Sequence, residues 1–176
     1  MGDIADDSGL VTAARAGSDA AFARLVDRHQ GKLRGFLRRA AGAEADDVAQ
    51  EAFLAAWTGL GSLKDPAGFR PWLYGIAWRK ARDRLRGARR GAARDGAWLE
   101  TANAPTGLAP EDRMALAAAM GGLGPDERAC VALCLAQGWS HGDAAAATGL
   151  PLGTVKSHVQ RGRARLLAAL GGRDDA

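Results

Sequence analysis

The sequence predicts an all-α fold of two small helical domains joined by a flexible linker, and composition, periodicity and punctuation each point to it. Of the 176 residues, 47% are apolar, and among them are forty alanines and twenty leucines against two isoleucines and six valines. Alanine and leucine favour helix while β-branched residues favour strands, so a β-sandwich or a parallel-sheet enzyme is disfavoured. Apolar residues recur at three- and four-residue steps through several segments. With 24 glycines and 6 prolines, the chain has punctuation enough to divide into a domain over 1–87, a linker over 88–110 and a second domain over 111–176.

The elements follow in order. Phe22, Leu25, Val26, His29, Leu33, Phe36 and Leu37 predict an amphipathic helix over 19–40, opening near the cap residues Ser18 and Asp19 and stopped by Gly42. His29 lies on its apolar face and is expected to pack there. A second helix over 46–60 carries Val48, Ala52, Phe53, Ala56, Trp57 and Leu60, with acids in the first turn, where the helix dipole favours them. Residues 59–68 read as a loop. Pro71 suits a first helical turn and opens a helix through Arg86 with Trp72, Leu73, Ile76, Ala77 and Leu85 as its stripe. Trp72 is expected in the core, Tyr74 suits core and surface equally, and Trp78 falls where the stripe thins. Periodicity is lost over 88–110, although Trp98 and Leu99 within it are expected to pack on something. Shorter helices are predicted over 111–120, 126–137, 140–148 and 154–170.

The net charge of +4 conceals a segregated distribution. Glu44, Asp46, Asp47 and Glu51 form an acidic stretch, whereas Arg79, Lys80, Arg82, Arg84, Arg86, Arg89, Arg90 and Arg94 face Asp83 alone. Lys156, Arg161, Arg163 and Arg165 form a second basic block. Either block alone is explained as well by a solvated helix face, but two positive surfaces on one helical protein suggest a polyanion with two contact points, DNA or RNA being the commonest. Cys130 and Cys134 cannot make a disulfide framework, the acidic start MGDIADD lacks a basic leader, and the longest uncharged run is the fourteen residues from Ala129 to Gly142. A cytoplasmic protein without a membrane span is expected. The two cysteines and His141 lack a fourth ligand, so core packing is expected and no metal. No P-loop, dinucleotide motif, nucleophile elbow or HExxH is present, so no cofactor, catalytic residue or enzyme activity is expected.

A short helix over 140–148, a turn at Gly149 and a longer helix from Thr154 form the pattern of a helix-turn-helix, with Gly149 as left-handed stop and Thr154 as cap. Its second helix offers Thr154, Lys156, Ser157, His158, Gln160 and Arg161 early, where a major groove is read, and leaves Val155, Val159 and Leu166 for the core. An ordinary helical hairpin would show a similar outline. The segment GWSHGDAAAATGLPLGTVKSHVQRGRARL resembles region 4 of bacterial sigma factors of the sigma-70 family, in the small extracytoplasmic-function (ECF, group 4) class. LVDRHQGKLRGFLRRA, AEADDVAQEAFLAAW and FRPWLYGIAWRKARDRLR resemble region 2 of the same class, in the same order. Together these cover about 20–87 and 112–170.

The resemblance implies a transcription factor that binds core RNA polymerase at its β′ clamp helices and β flap and directs it to promoter DNA with two separated elements. It places Asp46, Asp47, Gln50 and Glu51 at the polymerase. Dipole complementation explains the first two but not Gln50 and Glu51 a turn later. For the −10 element it implies Lys64, Trp78, Arg79, Lys80, Arg82, Arg84 and Arg86, beside a loop able to hold a base taken from the stack. For the −35 element it implies Thr154, Lys156, Ser157, His158, Gln160, Arg161 and Arg163. Arg79 stands where the family often has asparagine, and His158 where arginine is usual, which removes a bidentate guanine reader. Asp143 fits an acidic position expected to be structural. The resemblance also implies an anti-sigma factor that holds the protein inactive until a stress signal. A sigma-like decoy that binds only an anti-sigma factor would have no need of the second basic block. A stand-alone helix-turn-helix regulator would lack a dimerising helix and leave the 46–57 segment unexplained.

Overall fold

The computed structural model describes residues 7–42, 44–91 and 109–171. Eight α-helices and no strands are found among the described residues. The first, α1 (Ser8–Arg15), has no counterpart in the sequence reading. It buries only Val11 and Ala14, too few apolar positions to show a period. Asp7, just ahead of it, binds Arg28 Nη1 and His29 Nε2, each at 2.7 Å. The chain turns at Gly17, whose φ of 93° suits glycine. Ser18 Oγ then accepts from the Ala21 N–H at 3.2 Å and caps α2 (Asp19–Ala41).

Helix α2 buries Phe22, Leu25, His29, Leu33, Phe36, Leu37 and Ala40 along the expected stripe and ends at Gly42, φ 87°. Helix α3 (Ala45–Gly59) buries Val48, Ala49, Ala52, Phe53 and Ala56. The loop between α3 and the next long helix is ordered as two short 3₁₀ turns, Leu60–Ser62 and Pro66–Gly68. Asp65 Oδ1 steadies the second by accepting from Ala67 N–H at 3.0 Å. Helix α4 (Phe69–Gly91) begins two residues before Pro71 and continues four residues beyond the expected start of the linker. Pro71 remains in the first turn, where no amide donor is needed. Trp98 and Leu99 lie outside the described residues.

The C-terminal half starts with α5 (Pro110–Gly121) and α6 (Pro125–Val131), each with proline in its first turn. The single helix expected over 126–137 is instead α6 followed by a π-helical turn, Ala132–Ala136. That wider turn keeps Leu133 in the core and exposes Leu135. Helix α7 (His141–Thr148) is capped by Ser140 Oγ, which accepts from Asp143 N–H at 3.0 Å and donates to Asp143 Oδ2 at 2.8 Å. Asp143 is thus structural, as expected. Gly149 ends α7 in the left-handed region, φ 72°. Helix α8 (Leu152–Gly171) opens two residues before the expected site, with the Val155 N–H bonded to the Pro151 carbonyl at 3.0 Å. Thr154 is therefore a first-turn residue and not the cap, because Pro151 already supplies the helical φ and the first acceptor.

The halves are not held apart. One continuous core runs from Val11 through Trp78 to Cys130, Leu133, Trp139, Ala144, Val155 and Val159, with α4 lying along α7 and α2 against α6. A smaller cluster of Met120, Leu123 and Val131, covered by Leu166, closes the far side of the C-terminal half. Arg128, only 6% exposed, reaches from α6 and donates through Nε to the Ala40 carbonyl at 2.8 Å. It thereby satisfies a last-turn acceptor of α2 at the negative end of that helix. The alanine content permits this closeness: a Cβ on Gly75 of α4 would stand 3.3 Å from the Ala147 carbonyl of α7.

Candidate nucleic-acid interface

Three surfaces collect the residues singled out by sequence. The first lies on α3. Asp46 is paired with Arg38 at 3.0 Å and Arg34 at 3.6 Å. Glu51 is held by Arg84 and by Lys80, the latter at 3.5 Å. Asp47 and Gln50 are exposed. Beside them a groove between α2 and α3 is lined by Phe22, Val26, Arg34, Gln50, Leu54 and Trp57. Leu54 is 61% exposed, and Trp57 packs its ring 4.7 Å from Phe22. The sequence reading missed Leu54 altogether and took Trp57 as ordinary stripe. The signal was there: Gln50, Leu54 and Trp57 recur at i, i+4, i+7 off the buried Val48, Ala52, Phe53, Ala56 row.

The second surface is α4 with its preceding loop. Lys64 and Arg79 are exposed, Arg79 Nε bonding its own helix at the Gly75 carbonyl, 3.2 Å. Lys80 and Arg84 turn towards α3. Arg84 also meets Glu44 at 2.9 Å, and that hydrogen bond is the main cause that raises its pKa above the ordinary guanidinium value. Arg82 faces Asp126 of the C-terminal half at 3.7 Å, and Arg86 pairs with Asp83. The basic run is therefore partitioned among three directions.

Trp78 requires correction. The −10 contact that the resemblance implies for Trp78 does not fit its position, for the residue is 1% exposed and its ring meets Phe36 edge-on at 6.0 Å. Its partner Phe36 lies on α2, and the apolar stripe of α4 alone does not show that contact. Tyr74 is equally buried, its hydroxyl donating to Gln137 Oε1 at 3.1 Å, and burial pushes its pKa up to about 12. Trp72, expected in the core, is only half-buried.

The third surface is α8. Val155, Val159 and Gly162 face inward, while Lys156, Ser157, Gln160, Arg161 and Arg163 are exposed and Thr154 and His158 half-buried. Gly162 is a point of close approach: a Cβ there would lie 2.3 Å from Val131 Cγ2. Glu127, buried on α6, meets Arg165 at 3.3 Å and Arg161 at 3.8 Å. His158 Nδ1 lies 3.0 Å from an Arg161 Nη. A guanidinium can only donate, so Nδ1 is the acceptor and the ring proton belongs on Nε2. The histidine that stands where arginine is usual thus orients its basic neighbour. Cys130 is buried, which raises its thiol pKa to about 12, and Cys134 is half-buried. Among the described residues no group of three or more His, Cys, Asp and Glu could hold a metal, and no helix is long and apolar enough to cross a membrane.

A helix-turn-helix, a second basic helix and an acidic, partly apolar α3 lie on one chain. Comparison with known proteins gives the family. Residues 25–91 match the family model for Sigma-70 region 2, and residues 113–166 that for Sigma-70 region 4. The chain is 35% identical to RNA polymerase sigma factor CarQ of Myxococcus xanthus, over 89% of this chain and 93% of that one. It is 30% identical to the ECF RNA polymerase sigma-E factor of Escherichia coli K12, over 93% of each. In structure it matches CnrH, solved in complex with the cytosolic domain of CnrY, at a TM-score of 0.73 and 33% identity, over 96% of this chain and 99% of that one. It also matches RpoE of Bartonella quintana, solved with the anti-sigma factor NepR, at a TM-score of 0.73 and 26% identity, over 85% and 96%. The chain belongs to the sigma-70 family, in its extracytoplasmic-function class. These relatives bear the names of sigma factors, which are transcription regulators and not enzymes.

Proposed function

We propose that this protein docks on core RNA polymerase through α3 and directs it to promoters carrying a −10 and a −35 element, read by α4 with its loop and by α8. The observation that supports this most directly is the division of α8. Val155 and Val159 anchor it to α7 and α6, and Lys156, Ser157, Gln160 and Arg161 stand free of the core in its first turns, as a major-groove helix requires. On α3, Asp47 and Gln50 are polar contacts for the basic clamp helices of β′, and Leu54 and Trp57 supply the apolar area that gives an interface most of its binding energy. The β flap is the counterpart for the C-terminal half. Lys64 and Arg79, exposed on the loop and on α4, are the phosphate contacts of the displaced strand, whereas Lys80, Arg82, Arg84 and Arg86, implied there by the resemblance, are engaged by Glu51, Asp126, Glu44 and Asp83. An anti-sigma factor is the expected regulator, since a similar protein, RpoE of Bartonella quintana, was solved with the anti-sigma factor NepR. Its release on a stress signal would set the time of action, and the cytoplasm is the compartment where core polymerase is met.

Run-off transcription with purified core polymerase tests the reading. Initiation is expected with the wild-type chain, and it should be lost on replacing Asp47 and Gln50 by alanine, or Lys156 and Arg161 by alanine. A chain that never adds initiation to core polymerase on any promoter would be a decoy, a reading that the retained basic face of α8 disfavours.

A further inference from the structure

The loop between α3 and α4 is tied at both ends to α1, which packs on α2 and on both 3₁₀ turns. At the entrance, Arg15 Nε donates to the Leu60 carbonyl at 3.1 Å. The same oxygen closes the first turn by accepting from the Leu63 N–H at 3.3 Å, and a carbonyl has lone pairs for two donors. It stands just past the last turn of α3, where the helix dipole favours a cation. At the exit, Asp7 grips α2, Oδ1 taking Arg28 Nη1 and Oδ2 taking His29 Nε2, each at 2.7 Å. His29 sets its ring 5.4 Å from Phe69, the fully buried residue that follows the second turn. Asp7 is the N-cap of α1, its carbonyl accepting from the Val11 N–H at 2.8 Å, yet its side chain makes no cap bond. A carboxylate in that place ordinarily binds the free amides of its own helix, and here it is committed to α2 instead. Between the two tied ends Leu63 turns inward, while Ser62, Lys64 and Asp65 stand exposed at the crest.

We propose that α1 is a brace that sets the shape of the base-holding loop, and that Arg15 and Asp7 are positioning residues for recognition of the downstream promoter element. The inference rests on the sigma-factor reading, which gives the loop its base, and adds two residues outside the loop that decide how well it discriminates. A pocket rejects the wrong base through contacts that base cannot make, and a loop free to change shape repacks around either one. Short 3₁₀ turns are poorly bonded by themselves. A donor from another helix, placed on the carbonyl that closes one of them, supplies the missing restraint. The dependence runs both ways. A helix of eight residues is marginal alone in water, and α1 buries only Val11 and Ala14, so its polar ties hold it in turn. Covering the core needs only those two apolar side chains. Arg15 and Asp7 add nothing to that cover, and their bonds run to the loop and to the residues beside its exit.

The test compares the full-length wild type with Arg15→Ala, Arg15→Lys and Asp7→Asn, and circular dichroism verifies that each stays helical. Should Arg15→Ala lose its helices, the milder Asp7→Asn carries the test. Hydrogen exchange in the free protein reads the amides of Leu63 and Gly68, which close the two turns. Arg15→Ala should speed exchange at Leu63 by about fivefold, the effect of one lost hydrogen bond, and leave the amides of α8 unchanged. Asp7→Asn should do the same at Gly68, and Arg15→Lys, which keeps a cationic donor, should restore most of the protection at Leu63. Transcription of a promoter library randomised at both elements, by core polymerase with each chain, then reads discrimination. Arg15→Ala should lower the enrichment of the preferred base in the downstream element by about fivefold, leave the upstream element intact, and be rescued by Arg15→Lys. Unchanged exchange at Leu63, faster exchange with undiminished base preference, or a loss at both elements together would each overturn the proposal. If the wild type initiates with core polymerase while Arg15→Ala and Asp7→Asn keep its base preference, only the brace is refuted. If the wild type initiates nothing, the sigma-factor reading fails and takes the recognition role of α1 with it.

Discussion

His29 sits on the inner face of α2 with Nε2 2.7 Å from Asp7 Oδ2, and burial, the largest influence, lowers its pKa below 6.5 against the upward pull of Asp7. A histidine depressed in the folded state takes up its proton more readily when unfolded. Its contribution is therefore present above the unfolded value and is lost as pH falls through the folded one. The melting temperature should drop between about pH 7 and pH 5, and His29→Gln should flatten that drop, as thermal melts followed by circular dichroism would show. A wild-type melting temperature that climbs on acidification would contradict this. On α8, Arg161→Ala should cost promoter affinity about tenfold, the order of one charged groove contact. His158→Ala should cost less, because its role is to orient Arg161; band shifts with the polymerase complex measure both. At this scale the sequence was legible where a residue's surroundings lie on its own helix. Val155, Val159 and His29 pack as their spacing implies. Trp78 was misplaced because its packing partner, Phe36, lies on another helix. Likewise the pairing of Glu51 with Lys80 and Arg84 joins two segments that were read separately as an acidic face and a basic face.

Helices were found where apolar positions are many and stops are strong, as in α2 between Ser18 and Gly42. Helix α1 escaped because eight residues with two buried side chains carry no period, and the tie of Asp7 to Arg28 and His29 is tertiary. The π-helical turn after α6 has no local signature either, since its wider winding answers to Leu133 packing in the common core. The crossing of α6 and α8 is fixed by Gly162, so Gly162→Ala should destabilise the protein by about 1–3 kcal/mol, the usual cost of forcing extra volume into a packed contact. Val131 is β-branched and cannot turn its Cγ2 aside cheaply. Urea denaturation measures the loss, and an unchanged midpoint would mean that the two helices can separate freely. The groove between α2 and α3 makes a contrary demand. Leu54→Glu, at an exposed position, should leave stability within about 0.5 kcal/mol and weaken core polymerase binding by about tenfold, about 1.4 kcal/mol, in a fluorescence titration. Unchanged binding would remove the groove from the docking surface.

At the scale of the whole molecule, the modest net charge of +4 separates into an acidic α3 and basic α4 and α8, and this much was visible in the sequence. The closure of one half on the other was not. It depends on Gly75 meeting Ala147, on Trp139 between Arg70 and Tyr74, and on Arg128 reaching Ala40, pairs far apart in sequence and each unremarkable alone. The alanine abundance that suggested short helices also lets their backbones come this near. Two contact points that bind weakly by themselves gain strength when one scaffold holds both. The most direct measurement is therefore transcription of a randomised promoter library by core polymerase with this chain, sequencing the transcripts and their templates. Two enriched elements at a fixed spacing upstream of the start are expected, with the upstream one lost and the downstream one kept when Lys156 and Arg161 are replaced by alanine. A library with no enrichment over core polymerase alone, or enrichment indifferent to those replacements, would contradict the assignment of α8 to promoter recognition.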